Sequence, residues 1–297
     1  MKIKNIISKL LRLPKDIAVI YSKLDMIQIS IGRVEQKLDR DYYNSHDRLT
    51  SYEFKVYSQW GEDGIIQYLT NKISIDTKSF IEFGVESYIE SNTRFLLQNN
   101  NWSGLVIDGS KDNIDYIKKD SIYWKHNLKA VCDFINKDNI NDIIRNSGMS
   151  GDVGLLSIDL DGNDYWIWQS IDIVRPAIVV IEYNSRFGKE RAITIPYDSM
   201  FVRSQAHHSN IYFGASLKAL VKLGQQKGYA FVGCNSSGLN AFFVRYDLKP
   251  EKIKELSIDE GYVESQFREC RDLDGNLLYI SREEELEILK SLPVVEV

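Results

Sequence analysis

Hydrophobic residues near the start of the chain recur at alternating spacings of three and four positions. The series is Ile3, Ile6, Leu10, Leu13, Ile17, Ile20, Leu24, Ile27, Ile31, Val34 and Leu38. This spacing is the heptad repeat of a helix with one apolar seam. Pro14 interrupts the repeat and should kink the helix or divide a short first helix from a longer second one. We expect an N-terminal coiled-coil helix over residues 1–40, strongest over 15–40, and a linker over 41–56.

Two partners for this helix are consistent with the pattern. The heptad repeat is typical of assembly into a homo-oligomer or of docking onto the rest of the chain. The first fifteen residues also carry five basic side chains and no acid, which is typical of an amphipathic helix on an anionic membrane surface. Self-association is the first expectation, and peripheral contact with the inner membrane face is the alternative.

From about residue 57 to residue 250, short apolar runs alternate with helical segments. The predicted strands are 79–85, 104–108, 154–159, 177–182, 229–234 and 241–245, with helices near 61–72, 91–100, 139–146 and 215–227. This alternation predicts a Rossmann-like α/β domain with a mostly parallel sheet covered on both faces. The turn-rich residues 235–240 predict a terminal antiparallel hairpin. The acidic residues 251–297 are expected to form a peripheral extension.

The composition argues against a nucleic-acid-binding protein, a disulfide-stabilised protein and a zinc protein. The net charge of -5 provides no basic field, so we expect no nucleic-acid partner. Three cysteines, Cys132, Cys234 and Cys270, are odd in number and widely spaced, unlike a disulfide framework or a zinc site. The chain has no apolar run of membrane-spanning length and no signal-peptide pattern, so a cytoplasmic protein is expected.

Acidic residues end two consecutive predicted strands, where open α/β sheets bind ligands. Glu82 ends the first, and Gly84 beside it lets the backbone approach a ligand. Asp108 ends the second, in a place suited to the ribose hydroxyls of a nucleoside. No phosphate-binding GxGxxG follows, and Glu82 and Glu86 would repel an anionic dinucleotide. The pattern therefore favours S-adenosylmethionine (SAM) over NAD, unless the acids only cap helices.

Five segments together resemble the class I SAM-dependent methyltransferases, in a bacterial branch similar to FkbM-type sugar O-methyltransferases. They are residues 58–64, 82–86, 91–93, 102–110 and 157–165. The resemblance spans about residues 57–245 and implies a seven-stranded sheet, with SAM across Gly84 and its ribose on Asp108. It also implies a cofactor site completed by Glu82, Glu86, Asn92, Gly109, Ser110, Phe134 and Asp159, with the adenine near residues 133–135. Tyr88, like Glu86, stands where the family usually has a further glycine.

More carboxylates follow the next two strands. Asp159, Asp161 and Glu182 offer the hard oxygen ligands that magnesium prefers, and Asp161 is also a candidate catalytic residue. Similarity to sugar O-methyltransferases implies Mg²⁺ here, whereas residues 161–164 are equally suited to a hydrogen-bonded turn. His207 and His208 lie in the aperiodic segment 186–213, and one of them is a candidate general base; solvated loop histidines are the alternative.

These expectations combine into one functional hypothesis. The resemblance implies O-methylation of a sugar or sugar-derived acceptor in bacterial surface-polysaccharide biosynthesis. The alternatives are a methyltransferase of another small hydroxylated or phosphorylated metabolite, and a non-catalytic coiled-coil scaffold with a degenerate nucleotide-binding fold. Arg203 shares the loop with the two histidines and is a candidate for binding a glycan or a phosphorylated group.

Overall fold

The computed structural model describes residues 2–42 and 48–297, and within the first range it describes side chains from residue 13 to 38. Seven strands in these residues form one sheet in the order β3-β2-β1-β4-β5-β8-β7. They are β1 (Ser79–Phe83), β2 (Ser103–Asp108), β3 (Leu128–Cys132), β4 (Gly151–Ile158), β5 (Val174–Glu182), β7 (Tyr229–Cys234) and β8 (Asn240–Arg245). Two short strands, β6 (Ile193–Thr194) and β9 (Val295–Glu296), pair separately.

Helices connect and cover the strands. The long N-terminal helix is α1 (Lys2–Tyr42). The domain contains α2 (Glu62–Lys72), α3 (Arg94–Asn100), α4 (Lys111–Lys119), α5 (Ser121–Lys125), α6 (Ile140–Asn146), α7 (Asp164–Ser170), α8 (Arg203–Ala206), α9 (Leu217–Gln226), α10 (Ile258–Gly261) and α11 (Arg282–Lys290). No helix in the part of the chain that the structure describes is both long and apolar enough to cross a membrane.

The strand order confirms the predicted Rossmann-like α/β architecture. Strands β1 to β5 are parallel, and β8 runs antiparallel between β5 and β7, so the sheet ends in the predicted hairpin. The hydrophobic pattern did not indicate β3, because exposed Lys129 interrupts its apolar run. Helices α4 and α7 were also missed. Both are short; α4 carries few apolar residues, and the apolar residues of α7, at positions 165–168, are consecutive and show no helical period.

Side chains that alternate along the strands fill two cores, one on each face of the sheet. Phe80 and Val106 belong to the core covered by α2, α3 and α4. Ile81 and Ile107 belong to the core covered by α6, α7 and α9. Because both faces are buried, the strands read as continuous apolar runs rather than as alternating ones. The edge formed by the carboxyl ends of the parallel strands is left for polar groups.

Helix α1 runs without a break through Pro14, so the expectation that this proline divides two helices was wrong. One face of α1 lies on the domain. Gln28 Nε2 donates to the Val56 carbonyl (3.3 Å), Gln36 Nε2 donates to Gln67 Oε1 (2.8 Å), and Gly32 lies directly against the Val56 side chain. The helix is therefore anchored to the domain through residues away from the heptad seam.

The described part of the heptad seam faces solvent. Its side chains are 42% to 64% exposed. They are Leu13, Ile17, Ile20, Leu24, Ile27, Ile31, Val34 and Leu38. The seam residues before Leu13 and the basic side chains before Lys15 lie outside the described side chains, and the membrane-contact hypothesis rests on them.

The segment after Pro250 packs onto the loop that follows β5. Cys270 and Leu289 form a small apolar core with Ile211 from that loop. Arg186, almost completely buried, donates through Nε to Glu285 (3.1 Å) and through Nη1 to Glu269 (3.2 Å). A buried guanidinium requires such partners. The acidic residues expected to be a peripheral extension thus reach the edge of the pocket described below.

Candidate functional site

A pocket of about 470 Å³ opens at the carboxyl edge of the parallel sheet. It lies where the strand order reverses between β1 and β4, the usual ligand position in open α/β sheets. One arginine, Arg203, stands there among eight acidic residues. The acidic residues that line the pocket are Glu82, Glu86, Glu90, Asp108, Asp159, Asp161, Glu182 and Glu269. The pocket therefore presents a strongly negative surface to an entering molecule.

Glu82 in β1 is buried, and hydrogen bonds from the chain occupy both of its oxygens. Oε1 accepts from the Asn92 amide (2.8 Å), and Oε2 accepts from Ser91 Oγ (2.9 Å) and the Thr93 amide (3.2 Å). Burial raises the pKa of Glu82, and these donors offset part of that rise. Glu82 therefore fixes the segment that leads into α3, and little of its acceptor capacity remains for a ligand.

Asp108, at the end of β2, keeps free acceptor capacity. Its Oδ2 accepts one hydrogen bond, from the Glu86 amide (2.8 Å). Its Oδ1 accepts two, from the Ser110 amide (2.8 Å) and Asn113 Nδ2 (3.1 Å). A carboxylate has about four acceptor positions. One position on Oδ2 is thus free on a residue that lines the pocket, as a ribose-binding acid requires.

The loop after β1 has a left-handed backbone at two residues that are not glycine. The φ angles are 47° at Glu86 and 61° at Tyr88. These are the two positions at which the sequence analysis noted a missing glycine. Each costs roughly 1–2 kcal/mol for an L residue. The Tyr88 hydroxyl pairs with Thr93 Oγ1 (2.9 Å), and Arg94 Nη1 donates to the Tyr88 carbonyl (2.7 Å). Tertiary hydrogen bonds therefore hold a turn that glycine would form without strain.

Gly84 brings the ends of β1 and β4 together. Its φ is 68°, and a Cβ atom there would lie only 1.8 Å from the carbonyl oxygen of Asp159. Any side chain at this position would push the two strand ends apart. Gly84 therefore serves the packing of the pocket wall, and its approach to a ligand stays a prediction.

Three carboxylates form a tight cluster after β4 and β5. Oxygens of Asp159, Asp161 and Glu182 all lie within 4.8 Å of one another. Arg203 Nη1 donates to Asp161 (2.8 Å), while buried Glu182 Oε2 has no hydrogen-bond partner among the described residues. Burial, and then repulsion by the neighbouring acids, raises the pKa values of Asp159 and Glu182 well above their usual range. Near neutral pH the cluster therefore holds a proton or needs a further cation.

The turn predicted for residues 161–164 is present and is closed by Asp164. Its Oδ1 accepts from the Leu160 amide (2.8 Å) and its Oδ2 from the Gly162 amide (3.0 Å). Burial raises the pKa of Asp164 to about 6 despite these bonds. The turn uses Asp164 and leaves Asp159 and Asp161 at the pocket. The turn and an ion site are therefore compatible interpretations.

Two residues of the C-terminal segment complete the pocket. The ring of Phe267 stacks on Trp60 at 5.5 Å between centroids, and Glu269 pairs with Arg203 Nη2 at 2.6 Å. Sequence reasoning missed Phe267 and Glu269 because they lie in a segment without periodicity, far along the chain from β5. Only the fold of that segment over the loop after β5 reveals them.

The two candidate general bases lie elsewhere. His207 and His208 are absent from the described residues that line the pocket. Their ring centroids are 4.2 Å apart, and His207 Nδ1 pairs with Ser209 Oγ (2.6 Å). Burial and the neighbouring His208 lower the pKa of His207. The groups placed to receive a proton in the pocket are instead Asp159 and Glu182.

The other predicted cofactor residues are divided between the pocket and its rim. Asn92 lines the pocket and donates through Nδ2 to Ser157 Oγ (3.0 Å), which ties the loop after β1 to β4. Ser110 caps α4 beside Asp108. The Phe134 ring lies next to Gly109 and is 46% exposed, so it offers an open aromatic face near Asp108.

Residues 56–63 form the side wall of the pocket. Gln59 and Trp60 line it, while Glu62 is completely buried behind them. Glu62 Oε2 accepts from the Trp60 amide (2.8 Å), and its Oε1 accepts from Asn240 Nδ2 (2.9 Å) in β8. Asp63 Oδ2 accepts from three successive amides of residues 56–58. These buried acids hold the wall in one conformation.

No protein-family model and no curated protein matches the chain. Similar solved structures include the O-methyltransferase from Bacillus cereus in complex with S-adenosylhomocysteine (SAH). It has 12% identity and a TM-score of 0.41, and the match covers 71% of this chain and 89% of that one. M. capricolum TrmK in complex with SAH has 11% identity and a TM-score of 0.40, and the match covers 66% of this chain and 74% of that one. The N-terminal domain of EvdMO1 with SAH has 12% identity and a TM-score of 0.38, covering 59% and 74%.

Gly84→Ala should lower the free energy of unfolding by about 2–5 kcal/mol. The substitution combines a left-handed backbone, which costs roughly 1–2 kcal/mol, with overpacking that costs about 1–3 kcal/mol. Gly148→Ala is the matched control, because Gly148 has φ 80° but open space around its Cβ position; it should lose the backbone contribution alone. Urea denaturation followed by circular dichroism measures both. Equal losses in the two variants would show that the approach to Asp159 is not needed.

Proposed function

We propose that the protein is a SAM-dependent methyltransferase. The observation that carries this proposal is the charge of the pocket, in which eight acidic residues stand with one arginine at the nucleotide-binding edge of the sheet. A phosphate-bearing dinucleotide would be repelled there, whereas a nucleoside with a sulfonium and an ammonium group would be attracted. The same fold position without a phosphate-binding loop is what such a ligand requires.

The residues present fit this cofactor. The free acceptor position of Asp108 suits ribose hydroxyls, and the exposed ring of Phe134 beside Gly109 suits stacking on adenine. Glu86, exposed at the pocket, supplies negative charge that favours the cationic end, whereas the charge of Glu90 is offset by Lys55 at 2.9 Å. Glu82 acts one step back, since it positions Asn92 and the start of α3.

SAM, when bound, supplies a methyl group on a sulfonium that leaves as a neutral thioether. The chain must then take the proton of the acceptor hydroxyl. Asp159 and Glu182 have raised pKa values, so whichever of the two is ionised is a stronger base than an ordinary carboxylate. Asp161 is held by Arg203 and positions that cation beside them. We assign proton removal to the Asp159 and Glu182 pair rather than to a histidine.

The acceptor in this proposal is a hydroxylated small molecule, and a sugar or sugar-derived acceptor in surface-polysaccharide biosynthesis is the specific form that the sequence resemblance supports. The acidic cluster would accept a hydroxyl proton from any such molecule. A scaffold with a degenerate nucleotide fold is the competing function, and it predicts that no cofactor binds.

Asp108→Ala should weaken SAH binding by at least about tenfold, because hydrogen bonds to a charged acceptor contribute roughly 1.5–3 kcal/mol each. Asn113→Ala is the control: it removes one donor to Asp108 but leaves the pocket lining unchanged, and it should alter the Kd by less than about threefold. Calorimetric titration with SAH measures both variants and the unmodified protein. Absence of SAH binding to the unmodified protein would support the scaffold and end the methyltransferase proposal.

We also propose that Asp159, Asp161 and Glu182 hold a magnesium ion. Glu182 Oε2 is buried without a donor, and three hard oxygen ligands within 4.8 Å suit this cation. An ion here would add positive charge to that of Arg203 and would lower the pKa of a nearby acceptor hydroxyl. With the ion bound, the carboxylates would act as its ligands, and the lowered pKa of the hydroxyl would ease loss of the proton; without it, the raised pKa values of Asp159 and Glu182 would do so.

Glu182→Gln should change how stability depends on pH and on magnesium. Raised pKa values in the folded state mean that stability is full below the unfolded pKa and is lost as pH rises through the folded pKa. Without metal, the melting temperature should therefore fall from about pH 5 to pH 8, less steeply in the variant. At pH 8, magnesium at about 100 times its Kd should stabilise the unmodified protein by about 2.7 kcal/mol, and the variant less.

Glu90→Gln is the control for this experiment, since Glu90 is an exposed carboxylate of the same pocket outside the cluster. It should follow the unmodified protein in both pH and magnesium dependence. A melting temperature that magnesium leaves unchanged would rule out the ion and leave a shared proton. If the melting temperature of Glu182→Gln fell with pH as steeply as that of the unmodified protein, the raised pKa of Glu182 would be contradicted.

We further propose that α1 assembles copies of this chain through its seam. The seam repeats every 3.5 residues on average, which matches a second helix with the same repeat, and the opposite face is already attached to the domain. Between residues 17 and 31, Ile17, Leu24 and Ile31 occupy the first position of the heptad, and Ile20 and Ile27 occupy the fourth. Leucine or isoleucine at the first position with isoleucine at the fourth favours a coiled coil of three or four helices over one of two.

Ile20→Glu combined with Ile27→Glu should convert the assembly to a 34.3 kDa monomer, because buried unpaired charge is costly in a seam. The control is Val19→Glu combined with Met26→Glu, which changes two residues that are equally apolar and exposed (54% and 64%) but lie off the seam. Light scattering after gel filtration gives the masses. An unmodified protein of 34.3 kDa would contradict the assembly.

A further inference from the structure

A second pocket adjoins the acidic one. Both share Leu160, Asp161, Arg203 and Glu269 in their walls, so they form one continuous surface. The second pocket is formed by the turn after β4, by the loop that carries α8, and by the C-terminal segment. Its other lining residues are Phe201, Val202, Ser204, Asn210, Arg268 and Arg271.

The charge of the second pocket is opposite to that of the first. Three arginines line it against two acids. Two other arginines pair with these acids: Arg203 lies 2.8 Å from Asp161 and 2.6 Å from Glu269, and Arg186 lies 3.2 Å from Glu269. Arg268 and Arg271 form no ion pair with any described residue. The outer part of the pocket thus carries two uncompensated positive charges.

The two outer arginines have donors to spare. Arg271 uses Nη1 for the carbonyl of Gly275 (2.8 Å), and the guanidinium of Arg268 lies over the Tyr279 ring at 4.6 Å. Each guanidinium has five N–H donors in a planar fork that matches phosphate oxygens. Neighbouring Ser204 and Asn210 add polar groups to the same wall. A tetrahedral group with two or more negative charges suits this arrangement.

We propose that the second pocket binds a phosphoryl group of the acceptor, through Arg268 and Arg271. This inference rests on the proposed methyltransferase function and specifies its substrate class: a phosphorylated hydroxyl compound. The acidic pocket repels the phosphoryl group and the arginines attract it. The acceptor is thereby oriented with its charge outward and its hydroxyl toward Asp159 and Glu182. The methyl transfer itself is unchanged: the hydroxyl oxygen bonds to the methyl carbon, the carbon–sulfur bond breaks, and a carboxylate takes the proton.

The test is calorimetric titration of the full-length protein with inorganic phosphate and with pyrophosphate at low ionic strength. Arg268→Gln combined with Arg271→Gln should weaken binding of the tighter probe at least tenfold and leave the Kd for SAH unchanged. Arg145→Gln combined with Arg175→Gln, two exposed arginines outside both pockets, should change the same Kd less than twofold. Tighter binding of pyrophosphate would indicate a diphosphate ester, and equal binding a monoester.

Failure of this inference and failure of the proposed function have different results. Binding of SAH without binding of either anion, or equal anion affinity in the arginine variant, would overturn the phosphoryl site and leave the methyltransferase. Arginine-dependent anion binding without SAH binding would overturn the methyltransferase. If the double variant does not fold, Arg268→Gln alone keeps the Arg271 to Gly275 hydrogen bond and should still weaken binding at least threefold.

Discussion

Carboxylates placed at the carboxyl ends of the strands are the constraint on which the rest of this structure depends. A buried carboxylate is costly unless it accepts several hydrogen bonds. Glu82 collects donors from residues 91–93, Asp108 from the loop after β1 and the start of α4, and Asp164 from the turn after β4. Each loop at this edge is therefore shaped by the acid it must satisfy, and the pocket wall is rigid for that reason.

The acids that remain without enough donors are the ones to which we assign the chemistry. The charge of Arg203 offsets part of the rise in the pKa values of Asp159 and Glu182, and Glu182 has one buried oxygen with no partner in the described chain. Burial and repulsion raise their pKa values, which suits both proton removal and cation binding. Arg268 and Arg271 line the adjoining second pocket, so the continuous surface has a negative part and a positive part. A substrate with one charged end would be oriented by this difference in charge.

Distant parts of the chain complete this surface. Arg186 and Arg203 connect the loop after β5 to Glu269 and Glu285 in the C-terminal segment. The segment is held by buried ion pairs, whose loss would leave an uncompensated charge in the interior. At the other end of the chain, α1 joins the domain through hydrogen bonds of Gln28 and Gln36 and close packing at Gly32, and it presents its apolar seam outward. The assembly and the chemistry that we propose would therefore use separate faces of the molecule.

Local patterns in the sequence were sufficient for the architecture and for six of the eight acids that line the pocket. Hydrophobic period distinguishes α1 from the buried strands, and acids such as Asp108 and Glu182 are identifiable because they directly follow apolar runs. Strand β3 was not predicted, because Lys129 interrupts its apolar run. Only the tertiary structure decided which acids accept enough hydrogen bonds and which do not. It also decided that His207 does not line the acidic pocket, and that Phe267 and Arg268 line the acidic pocket and the second pocket respectively. Those outcomes depend on hydrogen-bond partners and ion pairs between segments far apart in the chain, and no local period encodes them.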